Sequence, residues 1–179
     1  MSESDKALAE RATGGDKDAF AELVRRHVRS VTAFTLAVIG RREDARDIAQ
    51  EAFIEAYSHM GELRDPGCFR SWVFGIAQRK AIYLLRQRGR KPEAPLDLAF
   101  AEAAGGDPAE HAEEAERRQI LVAAVAGLPK TMKEAILLTY VGEMSQKEIA
   151  EALSVTEDAV QKRLSRAKEA LRVQLRNLL

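Results

Sequence analysis

Apolar side chains recur every three or four positions over most of this chain, and short runs of glycine, proline and capping residues interrupt them, a pattern that predicts helices almost throughout. A short first helix is expected over Asp5 to Thr13, stopped by Gly14 and Gly15, after which Asp16 can cap the next. In that second helix Phe20, Leu23, Val24, His27, Val28, Val31, Phe34 and Val38 keep to one face until Gly40 ends it. A third helix is predicted from about Glu43 to Met60, with Ala45, Ile48, Ala49, Ala52, Phe53, Ala56 and Tyr57 as its buried stripe. Asp47, Gln50, Glu51, Ile54 and Ser58 fall on the opposite side. An isoleucine centred in an acidic, amide-bearing face is the pattern of a protein interface, although a solvated face with one stray apolar residue would read the same way.

After a loop, Asp65 can cap and Pro66 can take the first position of a long helix to about Arg88. Phe69, Trp72, Val73, Ile76 and Ala77 supply its packing face, while Arg70, Gln78, Arg79, Lys80, Tyr83, Arg86 and Arg88 line much of the rest. Rings interleaved with cations suit unstacked bases and phosphates, because rings stack on bases while Arg and Lys neutralise the backbone. Buried aromatics beneath a merely solvated basic face are the competing account. From Gly89 to Asp107 the periodicity disappears, prolines and glycines collect, and acids dominate, as in a linker. Asp107, Pro108 and Glu110 then read as the start of a helix to about Gly127, and a further helix runs from Lys130 to about Val141.

The last segment, SQKEIAEALSVTEDAVQKRLSRAKEAL, reads as a helix-turn-helix. Ser145 and Glu148 stand at capping-box spacing, Ser154 and Val155 make the turn, and Thr156 can cap a second helix that buries Val160, Leu164, Ala167 and Leu171. Asp158, Gln161, Lys162, Ser165, Arg166 and Glu169 point outward, where the second helix of such a motif meets the major groove.

Charge sharpens this reading. The formal net charge is zero, yet residues Arg79 to Lys91 hold six basic side chains and no acid, whereas Glu93 to Glu116 hold eight acids and no Lys or Arg. Neutrality here is a cancellation between blocks. A single cysteine, Cys68, excludes an internal disulfide, and neither metal-ligand spacing around the histidines nor an array of nucleophile, base and orienting group is present. The expectation is an all-α, cytoplasmic protein that is not an enzyme, takes no cofactor, metal or small-molecule substrate, and does not insert into membranes.

Three strings carry a resemblance to a known family. DARDIAQEAFIEAY, FRSWVFGIAQRKAIYLLRQR and LPKTMKEAILLTYVGEMSQKEIAEALSVTEDAVQKRLSRAKEALR resemble segments of extracytoplasmic-function sigma factors of bacterial RNA polymerase, over nearly the whole chain. The resemblance implies region 2 over residues 1–90, an acidic linker over 91–107 and region 4 over 108–179. It implies binding to core polymerase, on the β′ clamp helices and the β flap, with Asp47, Gln50, Glu51 and Ile54 on the β′ side. It further assigns Phe69, Arg70, Trp72, Arg79, Lys80, Tyr83 and Arg86 to the minus 10 element, and Thr156, Asp158, Gln161, Lys162, Arg163 and Arg166 to the minus 35 element of promoter DNA. An anti-sigma factor partner is implied as well. Arg79 and Tyr83 stand where many relatives have Asn and Asp, and Ser154 stands where a turn glycine is usual. A helix-turn-helix regulator that works without core polymerase is the alternative.

Overall fold

The computed structural model describes residues 3–89 and 120–176, and every regular element among them is helical. Helices α1 (Asp5–Thr13), α2 (Lys17–Ile39), α3 (Arg42–Ser58) and α4 (Phe69–Arg88) build an amino-terminal lobe, with 3-10 turns at Met60–Glu62 and Pro66–Cys68 between α3 and α4. A helical stretch at 120–126 precedes α5 (Lys130–Tyr140), α6 (Gln146–Leu153) and α7 (Glu157–Arg176). The expected linker at 91–107 and the helix start at Asp107 lie outside the described residues.

Short-range chemistry explains most boundaries. Asp16 Oδ1 accepts from the backbone N–H groups of Asp18 and Ala19 at 3.0 Å each, which fixes the start of α2, and Gly40 closes it with φ of 81°. Asp65 does cap, but it caps a 3-10 turn by accepting from Gly67 N at 2.9 Å, so α4 opens at Phe69 rather than at Pro66. The capping box is present: Ser145 Oγ accepts from Glu148 N at 3.3 Å while Glu148 Oε2 accepts from Ser145 N at 2.8 Å.

In the amino-terminal lobe Leu23, Phe34, Phe69, Phe74 and Ile76 are sealed from solvent, and the Phe34 and Phe74 rings meet at 5.5 Å between centroids. Each such side chain contributes roughly 1.5–3 kcal/mol through burial. The buried Thr35 hydroxyl donates across to the Ala45 carbonyl at 3.0 Å, tying α2 to α3. In the carboxy-terminal lobe Leu137, Leu138, Ile149, Val160, Leu164 and Ala167 form the centre, matching the face read from the sequence for α7.

The two lobes are in contact. Their buried residues form one continuous cluster, with α6 lying on α4 and α5 lying against α2. For this reason residues 31–39 of α2 are buried on every side, although an amphipathic helix packed on one neighbour would expose half of them.

Candidate polymerase and nucleic-acid interfaces

Asp47, Gln50, Glu51 and Ile54 all stand exposed on the outer face of α3, and Ile54 keeps 58% of its surface in solvent. The apolar part of this face is wider than periodicity suggested. Val28 of α2 and Tyr57 of α3 sit on stripes expected to be buried, yet they are 38% and 46% exposed. Between the two helices lies a groove of about 900 Å³ lined by Phe20, Val24, Val28, Phe53, Ile54 and Tyr57. Among the described residues no third helix lines it, so side chains of core type end at a surface.

On α4 the expected minus 10 residues divide into four groups. Phe69 is fully buried, its ring 6.1 Å from Phe20 and 6.0 Å from His27, so it belongs to the core and cannot touch a strand. This corrects the sequence expectation; the ring lies on the face of α4 turned to α2, which single-helix periodicity cannot distinguish from a face turned to a ligand. Arg79, Tyr83 and Arg86 are exposed and line, with Ile82 and Glu55, an open hollow of about 500 Å³. Tyr83 is 64% exposed and its hydroxyl accepts from Gln87 Nε2 at 2.7 Å. Arg70 and Trp72 are half-buried: Arg70 pairs with Glu148 of α6 at 2.8 Å, and the Trp72 ring meets Phe69 edge-on at 6.4 Å between centroids.

Lys80 is ion-paired with Glu55 at 2.9 Å and with Glu51 at 3.3 Å, and these hydrogen bonds, Glu55 first, raise its pKa above the ordinary lysine value. Beside α4, the loop at 62–68 frames a second hollow of about 260 Å³ with Leu63, Arg64, Cys68, Trp72 and Arg79, closed on one side by Glu151 and Ala152. Sequence reading did not single out Leu63 and Arg64, since a short loop carries no period. The Cys68 thiol there is pushed up to about 12, first by burial and then by the carboxylates of Glu151 and Asp65, so it stays protonated and unreactive.

Thr156, just before α7, and Asp158, Gln161, Lys162 and Arg166 on it are exposed. Thr156 Oγ1 accepts from Ala159 N at 3.2 Å as the expected cap, and Lys162 pairs with Asp158 one turn back at 2.7 Å. Arg163 is half-buried and its charge acts on Glu134 of α5, so it contributes less to the outward face than its neighbours. Ser154 occupies the turn in the left-handed region, at φ 53° and ψ 48°, as its position in place of a glycine required. Among the described residues no group of three or more His, Cys, Asp or Glu could hold a metal ion, and no helix is long and apolar enough to cross a membrane.

Comparison with known proteins places these faces in context. Residues 23–91 match the family described as Sigma-70 region 2, and residues 118–171 the family described as Sigma-70, region 4. The chain is 33% identical over 186 residues to the RNA polymerase sigma-H factor of Pseudomonas aeruginosa, covering 99% of this chain and 96% of that one. It is 32% identical to the ECF RNA polymerase sigma factor SigW of Bacillus subtilis, covering 92% of each. It is also 32% identical to the sigma factor RfaY of Xanthomonas campestris, of which it spans 42% of the length. CnrH, solved in complex with the cytosolic domain of CnrY, aligns over 98% of this chain and 99% of its own with a TM-score of 0.68 and 26% identity. RpoE of Bartonella quintana, solved with the anti-sigma factor NepR, shares the fold at a TM-score of 0.67 and 18% identity, over 88% and 96% of the two chains. The chain therefore belongs to the extracytoplasmic-function RNA polymerase sigma factors, the subunits that bind core polymerase and direct it to promoters through their minus 10 and minus 35 elements.

Proposed function

We propose that the outer face of α3 docks on the β′ clamp helices of core polymerase through Asp47, Gln50, Glu51 and Ile54, with the apolar groove beside Val28 and Tyr57 widening the contact. Arg70, Trp72, Arg79, Lys80, Tyr83 and Arg86 then hold the melted minus 10 strand, while Thr156, Asp158, Gln161, Lys162 and Arg166 meet the minus 35 groove. Residues 1–90 serve as region 2, residues 91–107 as the linker and residues 108–179 as region 4, which also meets the β flap. The protein acts in the cytoplasm, catalyses nothing itself, and is held in check by an anti-sigma factor; the complexes of CnrH with CnrY and of RpoE with NepR support that last element.

The observation that carries the reading is Ile54, an isoleucine mostly in solvent at the centre of an acidic and amide-bearing face. Such a residue costs solubility unless a partner covers it. The test is run-off transcription with core polymerase on templates with randomised minus 35 and minus 10 elements, comparing the parent with Ile54→Glu. Because Ile54 makes little of the core, the variant should fold normally and lose about 2 kcal/mol of polymerase affinity, roughly thirtyfold. Undiminished co-purification of Ile54→Glu with core polymerase would remove α3 from the interface. Start-site selection by no template at all would favour a regulator that works without polymerase.

A further inference from the structure

One carboxylate stands among the cations of the hollow on the carboxy-terminal half of α4. Glu55 reaches into it from α3, and its two oxygens are held differently. Oε2 lies 2.9 Å from Lys80 Nζ, whereas Oε1 stands 3.9 Å from Arg79 Nη2, beyond hydrogen-bond length. Lys80 also donates to Glu51 Oε2 at 3.3 Å, so carboxylates engage two of its three N–H groups. A carboxylate in this place repels phosphates, and a surface that only gripped a nucleic-acid backbone would be better without it. Its presence is offset where hydrogen-bond donors on a base reach it.

We infer that Glu55 and Lys80 together read one unpaired guanine of the promoter strand, taken into this hollow against the ring of Tyr83. The inference rests on the reading of α4 as the minus 10 helix and deepens it by naming a base. Taken in order, Lys80 Nζ, Glu55 Oε2 and Glu55 Oε1 present a donor and two acceptors, the pattern that cytosine offers its own pairing partner. Guanine carries the complementary edge: O6 accepts, while N1–H and N2–H donate side by side. The other three bases have no second donor beside the first on that edge, so each leaves one Glu55 oxygen unsatisfied.

The rest of the hollow suits a base. Ile76 and Ile82 give it an apolar wall, and the exposed Tyr83 ring, whose hydroxyl accepts from Gln87, offers a stacking surface. Arg79 and Arg86 stand at the same opening, where they can meet the flanking phosphates. Glu55 and Lys80 come from two helices packed on each other, so the reading pair is set before a strand arrives and little ordering is left to oppose binding.

The experiment measures, by fluorescence anisotropy, binding of the full chain to fluorescein-labelled DNA strands of ~12 nucleotides, all thymidine except for one central base. The strand with guanine should bind about tenfold more tightly than those with adenine or cytosine, and inosine, which lacks the N2 amino group, should fall between. Glu55→Gln replaces one acceptor by a donor; it should strengthen binding to every strand by removing a negative charge, yet level the series. Glu43→Gln, an equal charge change at an exposed position of α3, should keep the guanine preference. Equal affinities across the series in the parent, or a preference that survives Glu55→Gln, would overturn the guanine reading. So would guanosine monophosphate displacing the thymidine strand as well as the unlabelled guanine strand does, since the hollow would then be a site for a free nucleotide. Arg79→Ala with Arg86→Ala separates the two ideas. Weaker binding of all strands there upholds α4 as the strand helix whatever the fate of the guanine preference, whereas undiminished binding withdraws the minus 10 reading itself.

Discussion

Lys80 of α4 donates to Glu51 of α3 at 3.3 Å, so one ammonium group joins the helix assigned to the promoter strand with the helix assigned to core polymerase. Glu55 shares it at 2.9 Å, and the hydrogen bonds to Glu55 and Glu51 raise the lysine pKa. Glu51 remains largely in solvent, so this bridge is a coupling device more than a stabilising one. Lys80→Met should cost less than about 1 kcal/mol and lower the melting temperature by only about 2–4 °C in a thermal scan. A larger drop would mean that the pair holds α3 to α4.

Phe69 tests the corrected assignment. Truncation to Ala removes a fully buried ring that touches Phe20, His27 and Trp72, and should cost about 3–5 kcal/mol. The urea midpoint should fall accordingly, while strand affinity per folded molecule should not change. A selective loss of strand binding at normal stability would return Phe69 to the interface.

His27 makes stability depend on pH. Burial is the main cause that lowers its pKa below 6.5, with Arg70 and Arg26 adding to it and Asp5, whose Oδ2 lies 2.6 Å from Nε2, opposing. A histidine depressed in the folded state contributes stability that is complete above the unfolded value of 6.5 and is lost as pH falls through the lower folded value. Melting temperature should therefore decline as pH is lowered below about 6.5, and His27→Gln should flatten that decline. An identical pH profile in the variant would assign the effect elsewhere.

Ser154 holds the turn of the helix-turn-helix at φ 53° without the freedom of glycine. Ser154→Gly relieves that conformation and should raise stability by up to about 1 kcal/mol, whereas Ser154→Val should lower it by at least as much. Chemical denaturation of both variants measures the difference. Equal stability of all three chains would mean that the turn is unstrained.

Lys162 and Arg166 lie on the exposed face of α7. Each cation that replaces a phosphate counterion contributes about 0.9 to the salt dependence of binding, so Lys162→Ala should reduce the slope of log affinity against log salt by about that amount. A slope that stays unchanged for both Lys162→Ala and Arg166→Ala would place minus 35 recognition on another surface.

The linear chain was sufficient for what depends on neighbours within a turn or two. The span of α1, the cap of α2, the Ser145 and Glu148 capping box and the buried face of α7 were all legible, because capping and a 3.6-residue period act over short distances. The outward position of Ile54 followed from the same period. Tertiary structure alone decided what lies on each face. Val28 and Tyr57 sit on apolar stripes yet border an open groove, and Phe69 shares a helix with exposed cations yet is sealed in the core. Arg70 meets Glu148 from 78 positions away, a pairing that no local rule contains; the one trace of it was Gly75, a glycine inside a helical pattern. Periodicity states that a face is apolar or charged, but which partner covers it is a choice among helix pairings separated by long stretches of chain, and only packing makes that choice.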